Sequence, residues 1–393
     1  MMKKKSTILD TPAWDDAPWT SFPRLTTGLK ADACVVGLGG SGLTCIHALL
    51  ERGVRVVGID AGSVGGGAAG RNGGFLLAGT SEFYHDSVDR LGHGRARAIY
   101  QLTIDEIERI ASQTPEVVTR TGSLRIAGSD EEELDCGRQL EALRADGFPG
   151  EGYDGPEGRG LLVPGDASFQ PLARCRILAT RAIAAGAMLF EHTPAIDVSS
   201  GYVRTPDGVV ECSKVVVAVD GRLDVLLPEL SSRIRTARLQ MLATAPSPEV
   251  NLPRPVYSRY GYDYWQQLPD KRIVVGGCRD AFAEQEWTSE LVTSEPLQAG
   301  LERLLREKIG STQPITHRWA ALVSYSNDEV PVLEEVRPGV IAIGAYSGTG
   351  NVVGALYGRI AAELAISGTS GLAGVVRTPA KPRPAISGAS ACK

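Results

Sequence analysis

Cysteine never recurs at short spacing in this chain: the seven, at positions 34, 45, 136, 175, 212, 278 and 392, form no CxxC, which argues against a disulfide framework or a zinc site. A reducing, cytoplasmic setting is therefore expected. None of the five histidines stands in HExxH or another ligand spacing, so no metal is expected. A basic excess is missing as well: charged residues make up 22% and the formal net charge is −5, so nucleic acid is not expected as a partner. No apolar run is long enough for a membrane span. Met1–Lys5 is basic, but Asp10, Asp15, Asp16 and several prolines follow where a secretion signal needs an apolar stretch.

Glycine is plentiful at 46 residues, and its placement organises the chain. An apolar strand ending at Val36 runs into Gly37-Leu-Gly39-Gly40-Ser41-Gly42, then a helix to about Arg52 and a second strand from Val54 to Asp60. This is the opening of a dinucleotide-binding βαβ unit. Gly37 allows a tight turn, Gly39 lets backbone approach a diphosphate, and Gly42 lets helix and strand pack closely. The first helical N–H groups face the phosphates, and Asp60, followed by Ala61, ends the second strand where a carboxylate accepts from ribose hydroxyls. An ordinary glycine turn in an α/β protein is the alternative.

At 393 residues two domains are expected. Residues 1–30, with Trp14, Trp19 and three prolines, read as an extended arm anchored by its tryptophans. Nucleotide-type segments at 31–92, 160–235 and 328–376 interleave with a second domain at 93–159 and 236–327, and 377–393 reads as a loosely ordered tail. The second domain is strand-rich from Ala237 to Cys278, with Tyr257–Gln267 as one strand on which Tyr260, Tyr262 and Tyr264 share a face. Ser129 and Ser294 are expected to cap helices. The fold class is α/β, a Rossmann-like nucleotide domain interleaved with an antiparallel-sheet domain. After Asp60 comes a glycine-rich stretch embedding Gly70-Arg71-Asn72-Gly73-Gly74, where backbone must pass something flat or bulky.

The interleaving and these motifs resemble the D-amino-acid-oxidase-like superfamily of FAD-dependent oxidoreductases. Within it Ala69–Gly74, Tyr264-Trp-Gln-Gln-Leu-Pro, Arg318-Trp319 and Tyr346-Ser-Gly348-Thr349-Gly350 look most like the gamma-glutamylputrescine oxidoreductase branch. The resemblance implies FAD as cofactor, its ADP half on the first βαβ unit, Arg71–Gly74 beside the isoalloxazine, Val198 near the adenine and Gly221 in the same cradle. Gly348, Thr349, Gly350 and Asn351 would open the last helix toward the flavin. Thr349 stands where many relatives carry His. Val323 aligns with the arginine that clamps an α-carboxylate in amino-acid-oxidising relatives, which favours an amine, or an amine with a remote polar group, over a simple α-amino acid.

In such chemistry a hydride equivalent leaves the carbon bearing nitrogen, and the flavin carries the hard step. Tyr260, Tyr264, Tyr325 and Tyr346 are the candidate active-site aromatics, each with core packing as its alternative, and Arg318 is a candidate for a remote carboxylate or a structural ion pair. The expected activity is oxidation of an amine with dioxygen as acceptor. An amino-acid oxidase or dehydrogenase with another acceptor, or a flavoprotein subunit dependent on a partner, are the alternatives. Aromatic hydroxylation would call for Gly-Asp before the final helix, and Gly344-Ala345-Tyr346 lacks it.

Overall fold

The structure is a computed structural model that describes residues 8–377; the basic start and the tail beyond Arg377 lie outside it. It is a mixed α/β fold in two domains. The first is built on a six-stranded sheet whose strands in spatial order are Met188–Phe190, Val56–Ile59, Ala33–Val36, Lys214–Val217, Val340–Gly344 and Val332–Arg337. All pairs are parallel except the last. The strands are short and β-branched, buried on both faces as a parallel sheet requires. One face is covered by the helix Gly40–Leu50, by Pro171–Ala184 and by Val353–Ser367. The other carries a four-stranded sheet that includes Asp197–Ser199, Tyr202–Arg204 and Val209–Glu211.

The first and last of these helices approach closely because Gly358 has no side chain: a Cβ there would lie 2.2 Å from the Ser41 carbonyl oxygen. Gly354 faces the Tyr346 ring in the same way at 3.3 Å. Both are packing glycines.

The second domain is an eight-stranded, largely antiparallel sheet. Ile234–Thr244 and Ile315–Ser326 form its longest pair, and Ile273–Gly277, Asp263–Gln267 and Val256–Ser258 follow across the sheet. The expected continuous strand from Tyr257 to Gln267 is broken. Arg259 and Tyr260 take positive φ of 53° and 54° and turn the chain back on itself at Gly261. Tyr257 and Tyr264 thereby become cross-strand partners, while Tyr260 and Tyr262 sit at the exposed turn.

Ser129 caps its helix as the spacing predicts, accepting from Glu132 N–H at 3.2 Å. Ser294 does not cap: its hydroxyl donates to Glu286 at 3.0 Å and accepts from Gln240 at 2.8 Å. A buried Arg238–Glu286 ion pair has recruited it instead. Among the described residues no helix is long and apolar enough to cross a membrane.

Candidate functional site

Two glycines of the first turn cannot be anything else. Gly37 has φ +109° and a Cβ on it would meet the Ala218 carbonyl oxygen at 2.4 Å; a Cβ on Gly42 would meet the Gly37 oxygen at 1.9 Å. Strand, turn and helix therefore close as tightly as backbone permits. Gly39 is the extended residue before the helix, which has no acid in its first turn, so Gly40 and Ser41 begin an uncompensated positive dipole end. Beside it lies Arg174, from the helix Pro171–Ala184. Arg174 is only 3% exposed, and its Nη1 is 3.6 Å from where a Gly40 Cβ would stand. Its Nε and Nη2 have no hydrogen-bond partner among the described residues. A buried guanidinium with two unpartnered nitrogens next to helix N–H groups suits an anionic diphosphate.

Asp60 ends the second strand with both oxygens engaged: one accepts from Leu38 N–H at 2.7 Å, the other from Gly62 N–H at 2.8 Å. Burial raises its pKa above the usual carboxylate range against the effect of those two bonds. Ala61 beside it is exposed. Glu191, fully buried, accepts from Val64 N–H at 2.6 Å, from Trp19 Nε1 at 3.0 Å and from Phe22 N–H, so it ties the N-terminal arm to the glycine-rich stretch. Val198 is 1% exposed and its side chain is spent in the core of the small sheet. The segment that meets Asp60 is His192–Thr193, through Thr193 N–H to the Asp60 carbonyl at 2.7 Å and His192 N–H to the Gly62 carbonyl at 2.9 Å. Neither Glu191 nor this pair stood out in the sequence, since nothing local marks them.

Gly70, Arg71, Asn72, Gly73 and Gly74 form the junction of the molecule. Trp319 Nε1 donates to the Arg71 carbonyl at 2.8 Å, Trp14 Nε1 to the Asn72 carbonyl at 2.9 Å, and Gln266 Nε2 to the carbonyls of Gly73 and Gly74. Arg71 itself donates to the Gly66 carbonyl at 2.8 Å and the Ala320 carbonyl at 3.1 Å. Gly70 and Gly74 are held against backbone: Cβ atoms there would lie 2.3 Å from the Gly65 oxygen and 2.6 Å from the Phe169 oxygen. The Tyr264 ring packs on Gly73, where a Cβ would lie 3.1 Å from it.

The terminal turn is tied to this junction by Asn351, whose Nδ2 donates to Asn72 Oδ1 at 3.0 Å and to the Phe75 carbonyl at 2.8 Å. Regular helix starts at Val353, two residues after the expected Asn351, although bonds from Val353 and Gly354 reach back to the Thr349 and Gly350 carbonyls. Ala345, Ser347 and Gly348 all have positive φ, a strained run for the first two residues. Asp220 holds it: its carboxylate accepts from Tyr346 N–H and from Ser324 N–H, each at 3.2 Å. Burial pushes that carboxyl up to about 6. Gly221 is needed because a Cβ would meet the Leu322 oxygen at 2.4 Å. A Cβ on Gly348 would meet nothing within 4 Å, so this backbone fronts open space, while Thr349 folds its hydroxyl onto the Tyr346 carbonyl at 2.7 Å.

The candidate aromatics separate into two groups. Tyr257 and Tyr264 stack with centroids 5.8 Å apart, and Phe75 meets both edge-on. Tyr325, on the strand bearing Trp319 and Val323, pairs with Tyr346 across an antiparallel bridge. Burial raises the Tyr257 phenol to about 12 and lifts Tyr264 and Tyr325 too. Tyr260 is elsewhere, 45% exposed with its hydroxyl 2.9 Å from Asp135. The positive-φ turn, invisible to simple alternation, accounts for the difference. Tyr346 is 5% exposed and wedged between the first and last long helices. Arg318 is spent in bonds to Glu302 and Gln298, both at 2.8 Å.

The chain is similar to several known proteins. A probable oxidoreductase OrdL of Rhizobium meliloti is 26% identical over 88% of this chain and 85% of its own length. The gamma-glutamylputrescine oxidoreductase of Escherichia coli is 26% identical over 88% of this chain and 86% of its own length. Among solved structures, glycine oxidase from Geobacillus kaustophilus superposes with a TM-score of 0.75 at 19% identity, covering 89% of this chain and 99% of its own. L-proline dehydrogenase from P. horikoshii gives 0.72 at 20% identity, covering 88% and 96%. The profile of the family described as FAD dependent oxidoreductase matches residues 32–364. That match takes in both large sheets and every glycine segment described above, and the chain belongs to this DAO family of oxidoreductases, with FAD as its cofactor.

Proposed function

We propose that this protein oxidises the C–N bond of an amine, with the reacting carbon held beside the Gly73 segment, at the edge of the aromatic face to which Tyr257, Tyr264 and Tyr325 contribute. The observation that carries the proposal is the contact of the Tyr264 ring with Gly73, in a segment gripped from three directions by Trp14, Trp319 and Gln266. Bound FAD supplies the two-electron acceptor. Around it, the first helix with Gly39, Gly40, Ser41 and Arg174 would hold the diphosphate and Asp60 would face the ribose. Arg71–Gly74 and Gly348–Asn351 would flank the ring, and the last helix would present its positive end to charge developing there. The unpartnered Arg174 nitrogens are the structural sign that an anion belongs in this cradle.

The three tyrosines stay protonated at neutral pH because burial disfavours their phenolates. They orient the amine and exclude water without acting as bases, and the ammonium proton leaves to solvent. Val323, half of an apolar stretch with Leu322, offers an α-carboxylate nothing to bind, which supports an amine over an α-amino acid. In the overall reaction the amine, dioxygen and water give a carbonyl compound, ammonia or a smaller amine, and hydrogen peroxide. Relatives named as gamma-glutamylputrescine oxidoreductase, glycine oxidase and L-proline dehydrogenase all act, by name, on amines or amino acids.

The test is anaerobic addition of primary amines, plain and with a distal polar group, alongside glycine and alanine. Bleaching of the flavin band by amines alone, reversed by air, is the expected result. Bleaching by glycine or alanine would overturn the substrate class, and bleaching that air does not reverse would move the acceptor away from dioxygen.

A further inference from the structure

Most arginines of the large sheet are neutralised. Arg238 pairs with Glu286, Arg259 with Asp263 and Asp280, and Arg318 with Glu302. Arg235 and Arg279 are different. Among the described residues neither forms an ion pair with a carboxylate, yet both are held on one indole: the Arg235 Cζ lies 4.2 Å and the Arg279 Cζ 5.0 Å from the Trp287 ring centre. Arg279 is also 5.0 Å from the centre of the Tyr325 ring, which meets Trp287 edge-on at 5.5 Å. Its position is set by backbone. Gly277 (φ +134°) and Cys278 (φ +57°) reverse the chain at the strand end, and Cys278 N–H is pinned to Asp263 Oδ1 at 3.0 Å.

Two like charges sharing one aromatic ring repel each other, and stacking on Trp287 and Tyr325 offsets only part of that cost. Arg279 also shares a hydrogen bond with the Tyr325 side chain, and with no carboxylate paired to either guanidinium among the described residues, the remaining N–H groups of the two planar forks can meet an anion. The pair borders the proposed substrate face through Tyr325, whereas the apolar Val323 lies on the same strand two residues away. We infer that Arg279, assisted by Arg235, is a carboxylate-binding subsite, and that the substrate is an amine carrying a carboxylate distal to the nitrogen that is oxidised. This deepens, and rests on, the reading of the Tyr257–Tyr264–Tyr325 face as the amine site.

The experiment compares 5-aminopentanoate with n-pentylamine, which differ only in the carboxylate, on the FAD-loaded protein and its R279M and R279K variants. Unreactive pentanoate is titrated in parallel by the change it makes in the flavin spectrum. The wild type should favour 5-aminopentanoate by about 10- to 100-fold in kcat/KM. R279M should erase that preference, mainly through KM, with a far larger loss for 5-aminopentanoate than for n-pentylamine, and abolish pentanoate binding; R279K should retain part of it. Equal use of the two amines by the wild type, or an equal loss of both in a folded, FAD-loaded R279M, would overturn the inference. If no amine bleaches the flavin, the amine reading fails, while pentanoate binding that R279M abolishes would still establish the anion site. Absence of pentanoate binding to the wild type would remove that site too.

Discussion

Tyr257 and Tyr264 face each other directly across two antiparallel strands, their rings stacked 25° from parallel, with Tyr264 pressed on Gly73. Tyr264 is thus fixed by its neighbour on one side and by the junction segment on the other. Its phenol, protonated at all working pH values, contributes shape and one hydrogen-bond donor. Tyr264→Phe keeps the shape and should lower kcat/KM for an amine by no more than about tenfold. Tyr264→Ala removes the wall and should cost about 100-fold through misplacement of the substrate. Equal, small effects of both would take Tyr264 out of the site; steady-state kinetics with a check of FAD content reads the difference.

Asp60→Ala should weaken FAD binding by about tenfold and lower the melting temperature as well. The carboxylate both faces the expected ribose and satisfies the Leu38 and Gly62 N–H groups, which would be left without acceptors at a cost of about 1–3 kcal/mol. Fluorescence titration of the apoprotein with FAD measures the first effect and calorimetry the second. Unchanged FAD affinity would remove Asp60 from the cofactor site.

Arg174→Leu should move the two quantities in opposite directions. Without cofactor, the buried guanidinium keeps two nitrogens without a hydrogen-bond partner among the described residues, and burial already lowers its pKa. Replacing it with an apolar side chain should stabilise the apoprotein by about 1–3 kcal/mol. The same change should weaken binding of FAD and of ADP, but not of riboflavin, which has no diphosphate. A variant that binds FAD as tightly as the wild type would separate Arg174 from the diphosphate.

Acid should stabilise the cofactor-free protein over a limited range. Asp166 is buried and Asp220 half-buried, and desolvation raises each carboxyl to about 6. A carboxylic acid whose folded pKa lies above its unfolded one binds its proton more tightly in the native state. Each therefore contributes stability that is full below pH about 4 and lost as pH rises through about 6, on the order of 3 kcal/mol per group. Denaturant midpoints taken between pH 4 and 7 should fall with rising pH, and Asp220→Asn should flatten that slope. A slope identical in Asp220→Asn would clear Asp220 of the effect.

Part of the glycine framework was legible in the sequence because its cause is local: Gly42 and Gly70 are required by the nearby Gly37 and Gly65 carbonyls, within strand and helix patterns that announce such approaches. The same holds for Ser129, whose partner is three residues away. Gly37, Gly74 and Gly221 are required by the distant Ala218, Phe169 and Leu322 carbonyls, and only the glycine-rich setting marked the first two. Side chains whose meaning comes from a distant partner were not legible. Arg174 looks like any helix arginine until two of its nitrogens prove to be buried without a hydrogen-bond partner. Nothing in the sequence marks Asp220 as the residue whose carboxylate holds the Tyr346 and Ser324 N–H groups. Tyr260 does not share a face with Tyr264, because alternation assumes an unbroken strand. The glycine at position 261 was the one signal that the strand might turn.

The six-stranded sheet also has a consequence for how the protein is made. Its neighbouring strands come from positions near 190, 57, 34, 215 and 341, and the Asn351 bond to Asn72 spans 279 residues. Synthesis from the N-terminus delivers the Gly37–Gly42 turn early and the strand and turn that pack beside it almost last. Contacts so far apart in the chain carry a large loop-closure cost before they form. A nascent chain that has passed Gly42 but not Asn351 therefore holds only half of this junction, and the fold around the first glycine turn is completed late in synthesis.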